Sequence, residues 1–363
     1  MKNFITIIFI AFCLTAMVPD ALAQGCVAVR NMNSCSLMGD SLAKTSSWQF
    51  SMNFRYFESY KHFRGKHEET ERVENGTQVI NHDNSLLLGL LYNINPRWGA
   101  AITLPVLYID RSSLYEHKGN NSGERYTTTS HGIGDMRISG YYTVTPNNHS
   151  TYLVFGLGVK LPTGNYNYKD YFHKRGSEGQ DTLVLQAVDQ SIQPGDGGFG
   201  AVIEYDFTQR IYRRFSMYST GSYLFNPRNT NGTLRSPNLV NGIPLSNEMS
   251  VADQFQFRLG ARYEMRSVQL ALGLRYEGIP VEDAFGKSDG FRRPGRILSL
   301  EPSVLYVKGP HLFGLNVPIA LMRNRTQSTL DKKRTEITGN YQHGDAAFAD
   351  YLISVSYSYR FGH

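Results

Sequence analysis

The sequence predicts an all-β chain folded as a transmembrane antiparallel β-barrel of about 12 strands. Three observations predict this fold class. Segments of roughly ten residues alternate between apolar and polar side chains, as strands with one lipid-facing side do. The connections between these segments alternate strictly between short and long. The chain also ends on such a segment, residues 351–361, in which aromatic and aliphatic residues occupy one face and mostly serines occupy the other.

The composition agrees better with a membrane β-barrel than with a helical membrane protein or a nucleic-acid-binding protein. Charged residues make up 19% of the chain and aromatic residues 12%, and the mean hydropathy is -0.35. This mean hydropathy argues against helical membrane spans, whereas barrels distribute their lipid contacts by alternation. The net charge of +6 is scattered without a dense basic run, so we expect no nucleic-acid partner.

The first 23 residues read as a signal peptide, with Lys2, an apolar run over 4–18 and small residues before the cleavage position. Residues 24–46 then form a predicted periplasmic N-terminal segment, and residues 47–363 form the predicted outer-membrane barrel. Cys26 and Cys35 remain after cleavage, and an oxidising compartment favours a disulfide between them. Lipid attachment at Cys26 is the alternative. The sequence indicates no metal site and no cofactor.

The strands follow one another in regular order. Tight turns such as 95–97 and 308–309 alternate with polar connections such as 64–83, 110–130 and 162–195. Outer-membrane barrels place short turns on the periplasmic side and long loops outside, and an even strand count closes the sheet without an unpaired edge. The predicted strands are 48–63, 86–94, 98–108, 133–144, 151–161, 199–207, 215–225, 254–264, 268–279, 297–307, 311–321 and 351–361.

The alternation also predicts which side chains face the lumen. Charges on the lipid face would each cost about 2–4 kcal/mol at mid-depth, and the pattern places them on the other face. They serve either as a selective pore lining or as opposite charges that pair and fill the lumen. The predicted lumen-lining residues are Arg55, Lys61, Asp135, Arg137, Lys160, Glu204, Asp206, Arg258, Arg262, Glu264, Arg275, Glu277, Glu301 and Arg360.

Three glycine-rich segments carry a family resemblance. They read Gly-Ile-Gly-Asp-Met-Arg at 132–137, Gly-Val-Lys-Leu-Pro-Thr-Gly at 158–164, and Gln-Pro-Gly-Asp-Gly-Gly at 193–198. In this order they resemble the outer-membrane family labelled putative meta-pathway of phenol degradation. The resemblance implies a transporter of small, often aromatic, compounds. The same residues also suit turns and strand ends, so turn chemistry is the simpler reading of each motif alone.

The predicted function is passive passage of small solutes through a narrow, charged lumen in a Gram-negative outer membrane. The implied partners are outer-membrane lipid, the barrel-assembly machinery and the solute, and the sequence fixes no oligomeric state. No catalytic motif is found, so we expect no enzyme. The alternative is an adhesive or structural barrel whose Tyr-rich loop 162–195 binds a partner or constricts the barrel, through Tyr166, Tyr168, Tyr171 and Phe172.

Overall fold

The structure, a computed structural model, describes residues 46–117, 123–145, 150–235 and 239–362. The predicted signal peptide, nearly all of the predicted N-terminal segment, and both Cys26 and Cys35 lie outside these residues. The signal peptide, its cleavage and the disulfide therefore stay predictions.

Twelve antiparallel strands form one closed barrel, which confirms the predicted fold class. Three of the strands (β4, β11 and β12) are each built from two segments that pair with the same neighbour. The strands are β1 (Ser47–Arg64), β2 (Ile80–Asn93), β3 (Trp98–Ser113), β4 (Tyr126–Ile133 and Met136–Thr143), β5 (Thr151–Leu161), β6 (Gly200–Tyr212), β7 (Phe215–Phe225), β8 (Gln254–Met265), β9 (Val268–Ile279), β10 (Gly295–Lys308), β11 (His311–Asn316 and Ile319–Arg325) and β12 (Ala346–Ala349 and Ile353–Phe361).

The last strand closes the barrel against the first. The register between β1 and β12 runs from Trp48 opposite Phe361 to Tyr56 opposite Ile353. The other edge of β12 pairs with β11, from His311 opposite Tyr359 to Asn316 opposite Ser354. Because the barrel is closed, the backbone N–H and C=O groups of both terminal strands are paired. An open edge would leave these groups unpaired in hydrocarbon, at a cost in free energy.

All short connections lie at one end of the barrel, here called the turn end, and all long connections lie at the loop end. The short ones span 94–97, 144–150, 213–214, 266–267 and 309–310, and the long ones span 65–79, 114–125, 162–199, 226–253, 280–294 and 326–345. The strands β2, β3 and β4 continue several residues into segments that the sequence pattern assigns to loops. The pattern misses these extensions because the loop ends of the strands are polar on both faces.

Side chains alternate between a lipid-facing exterior and a buried interior. In β3, Trp98, Ile102 and Tyr108 are exposed, whereas Thr103 and Leu107 are buried. At the turn end, Trp98 contacts Tyr142 with ring centroids 4.8 Å apart. Such paired aromatic rings suit the interface between hydrocarbon and headgroups.

The long connections contain structure of their own. A hairpin joins Lys169–Arg175 to Asp181–Ala187, and short strand pairs join Thr230–Leu234 to Glu248–Ser250 and Leu239–Val240 to Ile243–Pro244. Helix α1 spans Glu71–Glu74, and helix α2 spans Thr329–Thr338, with 3-10 turns at Tyr115–His117 and Gln190–Ile192. None of the described helices is both long and apolar enough to cross a membrane.

Helix α2 was missed by the alternation pattern. Ser328 caps its first turn in a capping box with Asp331, and Gly339 ends it in the left-handed conformation. The sequence Ser-Thr-Leu-Asp at 328–331 is the local signal that predicts this start. The helix lies over the loop end, because Lys332 and Lys333 pair with Glu282 and Asp289 of the connection between β9 and β10.

Candidate functional site: the barrel lumen

The predicted lumen residues lie at different depths and exposures. Nine of them are buried, namely Asp135, Arg137, Lys160, Glu204, Asp206, Arg258, Arg275, Glu277 and Glu301. The other five, Arg55, Lys61, Arg262, Glu264 and Arg360, are partly exposed. Buried charges need partners, so their role follows from the pairs that they form. Whether they line a path for solute stays a prediction.

Lys61 departs from the simple alternation. A register irregularity between Ser59 and Lys61 interrupts the pairing of β1 with β12. Such an irregularity inserts a residue and shifts the side chains that follow. The Lys61 Nζ lies 3.0 Å from a carboxylate oxygen of Asp350. The position of Lys61 is therefore set by this local ion pair, and the alternation by itself does not assign its side chain to the lumen.

The inner faces of β8, β9 and β10 carry a network of opposite charges. Arg258 Nε lies 3.0 Å from Glu301 Oε2, and Arg275 donates to Glu277 Oε2 at 2.7 Å. Arg275 also lies 3.9 Å from Glu301, and Gln256 donates to Glu277 at 3.1 Å. The charges on this wall therefore largely neutralise one another, and the choice between a pore lining and a filled lumen stays a prediction.

At the turn end, the closing strand places a charge inside. Arg360 Nε donates to the Gln49 side-chain oxygen at 3.1 Å, across the register between β1 and β12. Across the barrel from the closing strands, Glu264 of β8 lies 3.7 Å from Arg210 of β6. These contacts are more exposed than the network above, so water screens them.

The three glycine-rich motifs meet at one junction near the loop end. Asp135 accepts hydrogen bonds from the backbone N–H groups of Gly164 and Asp196, each at 3.0 Å. A Cβ atom on Gly195 would lie 2.5 Å from the Gly164 carbonyl oxygen, and one on Gly164 would lie 2.7 Å from the Gly195 Cα. The glycines are therefore required for close backbone packing, a role that turn chemistry alone does not give.

Lys160 is neutralised at the same junction. Its Nζ contacts both carboxylate oxygens of Asp196 and lies 3.8 Å from Asp135. Next to it, directly opposite on β4, lies Arg137. Arg137 is 3.9 Å from Glu204 Oε1, and the other oxygen of Glu204 accepts a 2.8 Å hydrogen bond from Tyr141. The two neighbouring cations thus differ: Lys160 contacts a carboxylate directly, whereas in the described part of the chain the carboxylate nearest to Arg137 is 3.9 Å away.

Residues 188–195, here called the inserted segment, fold into the barrel from the loop end. Val188 and Ile192 are fully buried against Leu107 and Ile109, which lie on the inner face of β3. On the far side, Gln190 donates to the Ser250 carbonyl at 2.7 Å. The segment therefore lies between the inner face of β3 and the connection from β7 to β8, at the loop end of the lumen.

Asp189 fixes the inserted segment. Its two carboxylate oxygens accept from the two terminal nitrogens of Arg293 at 2.6 and 2.8 Å, and Arg235 and Arg111 lie 3.5 and 3.9 Å away. Asp189 also accepts from the Ser191 N–H and hydroxyl. Burial alone would raise the pKa of the Asp189 carboxyl, but the three arginines hold that pKa well below its usual range.

The four aromatic residues predicted to act in this loop have separate environments. Phe172 is buried and stacks on His117, with ring centroids 5.2 Å apart. Tyr168 packs against the apolar cluster around Val188 and contacts His131 at 3.0 Å. Tyr166 lies under the Arg228 guanidinium at 5.8 Å. Only Tyr171 is mostly exposed, at 56%.

His62, Glu69 and Asp345 lie close enough together for their side-chain nitrogen and oxygen atoms to bind one metal ion. However, His62 Nε2 accepts the Val79 N–H at 2.8 Å, so a neutral ring carries its proton on Nδ1 and donates it to Asp345 at 2.5 Å. Arg72 also lies within 3.3 Å of both carboxylates. Because a proton and a guanidinium already occupy the positions of a cation, this group does not fit a metal ion.

A cavity of about 100 Å³ lies between the inserted segment and the barrel wall. Its wall includes the charged side chains of Arg137 and Lys160 and the apolar side chains of Leu224, Met249 and Ile279. Space of this size holds several waters or one small organic molecule. Sequence reasoning missed the cavity because the inserted segment that bounds it has no period.

No protein-family model matches the chain, and no curated protein matches it. Among solved structures, the COG4313 outer membrane channel from Pseudomonas putida F1 has a TM-score of 0.58 and 12% identity, covering 88% of this chain and 96% of that chain. The translocator domain of autotransporter NalP from Neisseria meningitidis has a TM-score of 0.46 and 12% identity, covering 91% and 95%. The P. putida toluene transporter TodX has a TM-score of 0.39 and 10% identity, covering 88% and 91%.

At 12% identity, the similarity to the P. putida F1 channel shows a shared barrel fold. The lower TM-scores of the other two structures support no further statement. The resemblance to the phenol-degradation family stays a prediction, since none of these comparisons reports it. What the comparisons and the geometry establish together is an outer-membrane type of barrel with a charged interior.

Proposed function

We propose that this protein is an outer-membrane channel for passive passage of small solutes, aromatic and weakly amphipathic ones included, along a narrow and charged lumen. The observation that carries the proposal is the cavity inside the lumen, whose wall combines charged with apolar side chains. A wall of this kind suits a solute with a polar and an apolar part. The fold is shared with a protein described as an outer membrane channel, which agrees with the proposal.

The exterior supports placement in an outer membrane. Exposed apolar residues alternate with buried ones along the strands, and aromatic pairs such as Trp48 with Tyr92, 4.5 Å apart, lie at the turn end. This pattern is typical of a lipid-facing belt with an aromatic girdle. We therefore propose that the chain, after signal-peptide cleavage, is inserted by the barrel-assembly machinery with its turn end in the periplasm.

The inserted segment supports a narrow path. Val188 and Ile192 hold it against the inner face of β3, and Asp189 and Gln190 hold it to the two long connections that contain Arg293 and Ser250. Because both attachments use buried contacts, the segment forms a fixed constriction, and passage follows the space beside it. We propose that the charged lumen residues set the local field along this path.

Single-channel recording tests the proposal. Full-length mature protein refolded into planar bilayers is expected to give small, discrete openings, and replacing residues 188–195 by a Gly/Ser linker is expected to raise the conductance. A matched control removes the hairpin 169–187, whose ends are adjacent because Lys169 pairs with Ala187. This control keeps the inserted segment and should leave conductance near that of the unaltered protein. Complete absence of openings in all three proteins would overturn the channel function.

A surface-binding role is the second candidate, and one observation favours it. Tyr171, Leu183 and Leu185 lie on one face of the hairpin at the loop end, and each is more than half exposed. Exposed apolar side chains grouped in this way are typical of contact surfaces. Substitution of all three by serine should abolish adhesion of cells displaying the barrel and leave its conductance unchanged; unaltered adhesion would exclude this role.

A further inference from the structure

The guanidinium of Arg137 has an unusual environment. Its side chain is 1% exposed, yet Nε and both terminal nitrogens lack a hydrogen-bond acceptor among the described residues. The nearest carboxylate oxygen, Glu204 Oε1, is 3.9 Å away. Buried polar groups in folded proteins are nearly always hydrogen-bonded, because an unmet donor costs its desolvation free energy. Arg137 therefore needs acceptors that the described residues do not supply.

Arg137 lies in the wall of the lumen cavity, so a bound molecule can supply these acceptors. Two further polar atoms nearby have no hydrogen-bond partner among the described residues. They are the Thr103 hydroxyl, whose residue lies directly opposite Arg137 on β3, and Gln254 Oε1 in the wall of the same cavity. The planar fork of a guanidinium matches the two oxygens of a carboxylate.

The other cations of the cavity wall are already engaged. Lys160 contacts Asp196, Arg292 pairs with Asp283, and Arg293 pairs with Asp189. Glu204 stands close to Arg137, and a ligand with two negative charges would be repelled by it without meeting a second unengaged cation. The charge balance therefore favours a ligand with a single negative charge.

One part of the cavity wall is apolar, although polar side chains such as Gln190, Gln193 and Asn231 line other parts of it. Leu224 and Met249 are each 1% exposed, and Ile279 and Ala252 are buried beside them. Burial of an apolar group against these side chains is favourable by roughly 25 cal/mol per Å² of contact area removed from water. A ligand that fills the site thus has a carboxylate at one end and a compact apolar body at the other.

We infer that Arg137 and the cavity beside it form a binding subsite for a small monocarboxylate with an apolar body. This inference rests on the proposed channel function, since it names the class of solute that the lumen selects. The carboxylate oxygens accept from the Arg137 guanidinium, and the apolar body lies against Leu224 and Met249. Passage of such a solute would then proceed through a saturable step at this depth.

Equilibrium binding on the purified full-length barrel in detergent tests the subsite, with benzoate as the probe. Benzoate is expected to bind saturably, and benzyl alcohol, its neutral analogue, and phthalate, a dianion, are expected to bind at least about tenfold more weakly. Arg137→Gln should weaken benzoate binding by about tenfold or more. The matched control, Arg262→Gln, removes a lumen guanidinium near the turn end and should bind benzoate normally.

Arg137→Lys extends the test if the glutamine variant does not fold. It keeps the buried charge but removes the planar fork, so binding weaker than in the unaltered protein is again expected. Two results would overturn the subsite. One is equal benzoate affinity in the unaltered protein and in the folded Arg137 variant, and the other is equal affinity of the unaltered protein for benzoate and benzyl alcohol. Absence of saturable binding would also overturn it, since it would mean that water alone satisfies Arg137. Conductance is recorded separately: openings without benzoate binding refute only the subsite, and binding without openings refutes only the channel.

Discussion

Removal of the Asp189 carboxylate should release the inserted segment. In Asp189→Ala, the segment loses both hydrogen bonds from Arg293 and those from Ser191. Truncating one partner of a buried ion pair costs about 3–5 kcal/mol, because the opposite charge stays buried. Each 1.4 kcal/mol is about a factor of ten, so the equilibrium between docked and released segment shifts by roughly two to three and a half orders of magnitude.

The assay is single-channel recording in planar bilayers, paired with a thermal melt of the refolded barrel. The variant should open to a larger and noisier conductance than the unaltered protein, while the barrel itself still resists unfolding. Asp181→Asn is the matched control, because Asp181 pairs with His173 on the exposed part of the hairpin. Conductance of Asp189→Ala equal to that of the control would refute the reasoning that this carboxylate holds the constriction.

The same carboxylate predicts how the constriction responds to pH. The pKa of Asp189 is lowered on folding, so its stabilisation is present in full above the unfolded value of about 3.9. It is lost only as pH falls through the still lower folded value. The conductance of the unaltered protein should therefore show no increase from release of the segment between about pH 4 and 8. A conductance rise centred near pH 5 or 6 would contradict this assignment.

Three further predictions concern stability. Gly195→Ala should lower the melting temperature, because overpacking costs about 1–3 kcal/mol, whereas Gly140→Ala, whose added Cβ would have no neighbour closer than 4.0 Å, should cost less. Ser328→Ala should raise amide exchange in α2 through loss of about 1 kcal/mol of capping, with no change in conductance. Glu301→Met should destabilise the barrel by about 3–5 kcal/mol, and adding Arg258→Met should recover part of that loss in chemical denaturation. Equal losses of stability in the two glycine variants would contradict the close packing at Gly195. Unchanged amide exchange in α2 would contradict the Ser328 cap, and strictly additive losses for Glu301→Met and Arg258→Met would contradict their ion pair.

The fold could be predicted from the sequence because its determinants are local. A period of two in side-chain polarity fixes which face of a strand meets lipid, and the alternation of connection lengths fixes strand count and closure. The pairing of the last strand with the first follows from these two patterns, and the structure adds the contact between Arg360 and Gln49. The pattern missed helix α2 and the polar loop ends of β2, β3 and β4, and it is interrupted at the register irregularity before Lys61.

The candidate site was only partly predictable. The sequence predicts that Asp135, Arg137 and Lys160 face inward, but their different environments depend on residues far away in the chain. Asp196 reaches Lys160 from a separate motif, while among the described residues the carboxylate nearest to Arg137 is that of Glu204, at 3.9 Å. A spacing rule on one strand contains no information about which charge on another strand lies within reach.

What the sequence by itself determined, then, is the barrel: its twelve strands and its closure. What only the tertiary structure decided is how the interior is occupied. Asp189 meets Arg111, Arg235 and Arg293, which come from three separate connections or strands. The physical reason is that strand alternation is a short-range steric property, whereas the path of a long loop through the lumen depends on burial and on charge pairs between residues about a hundred positions apart.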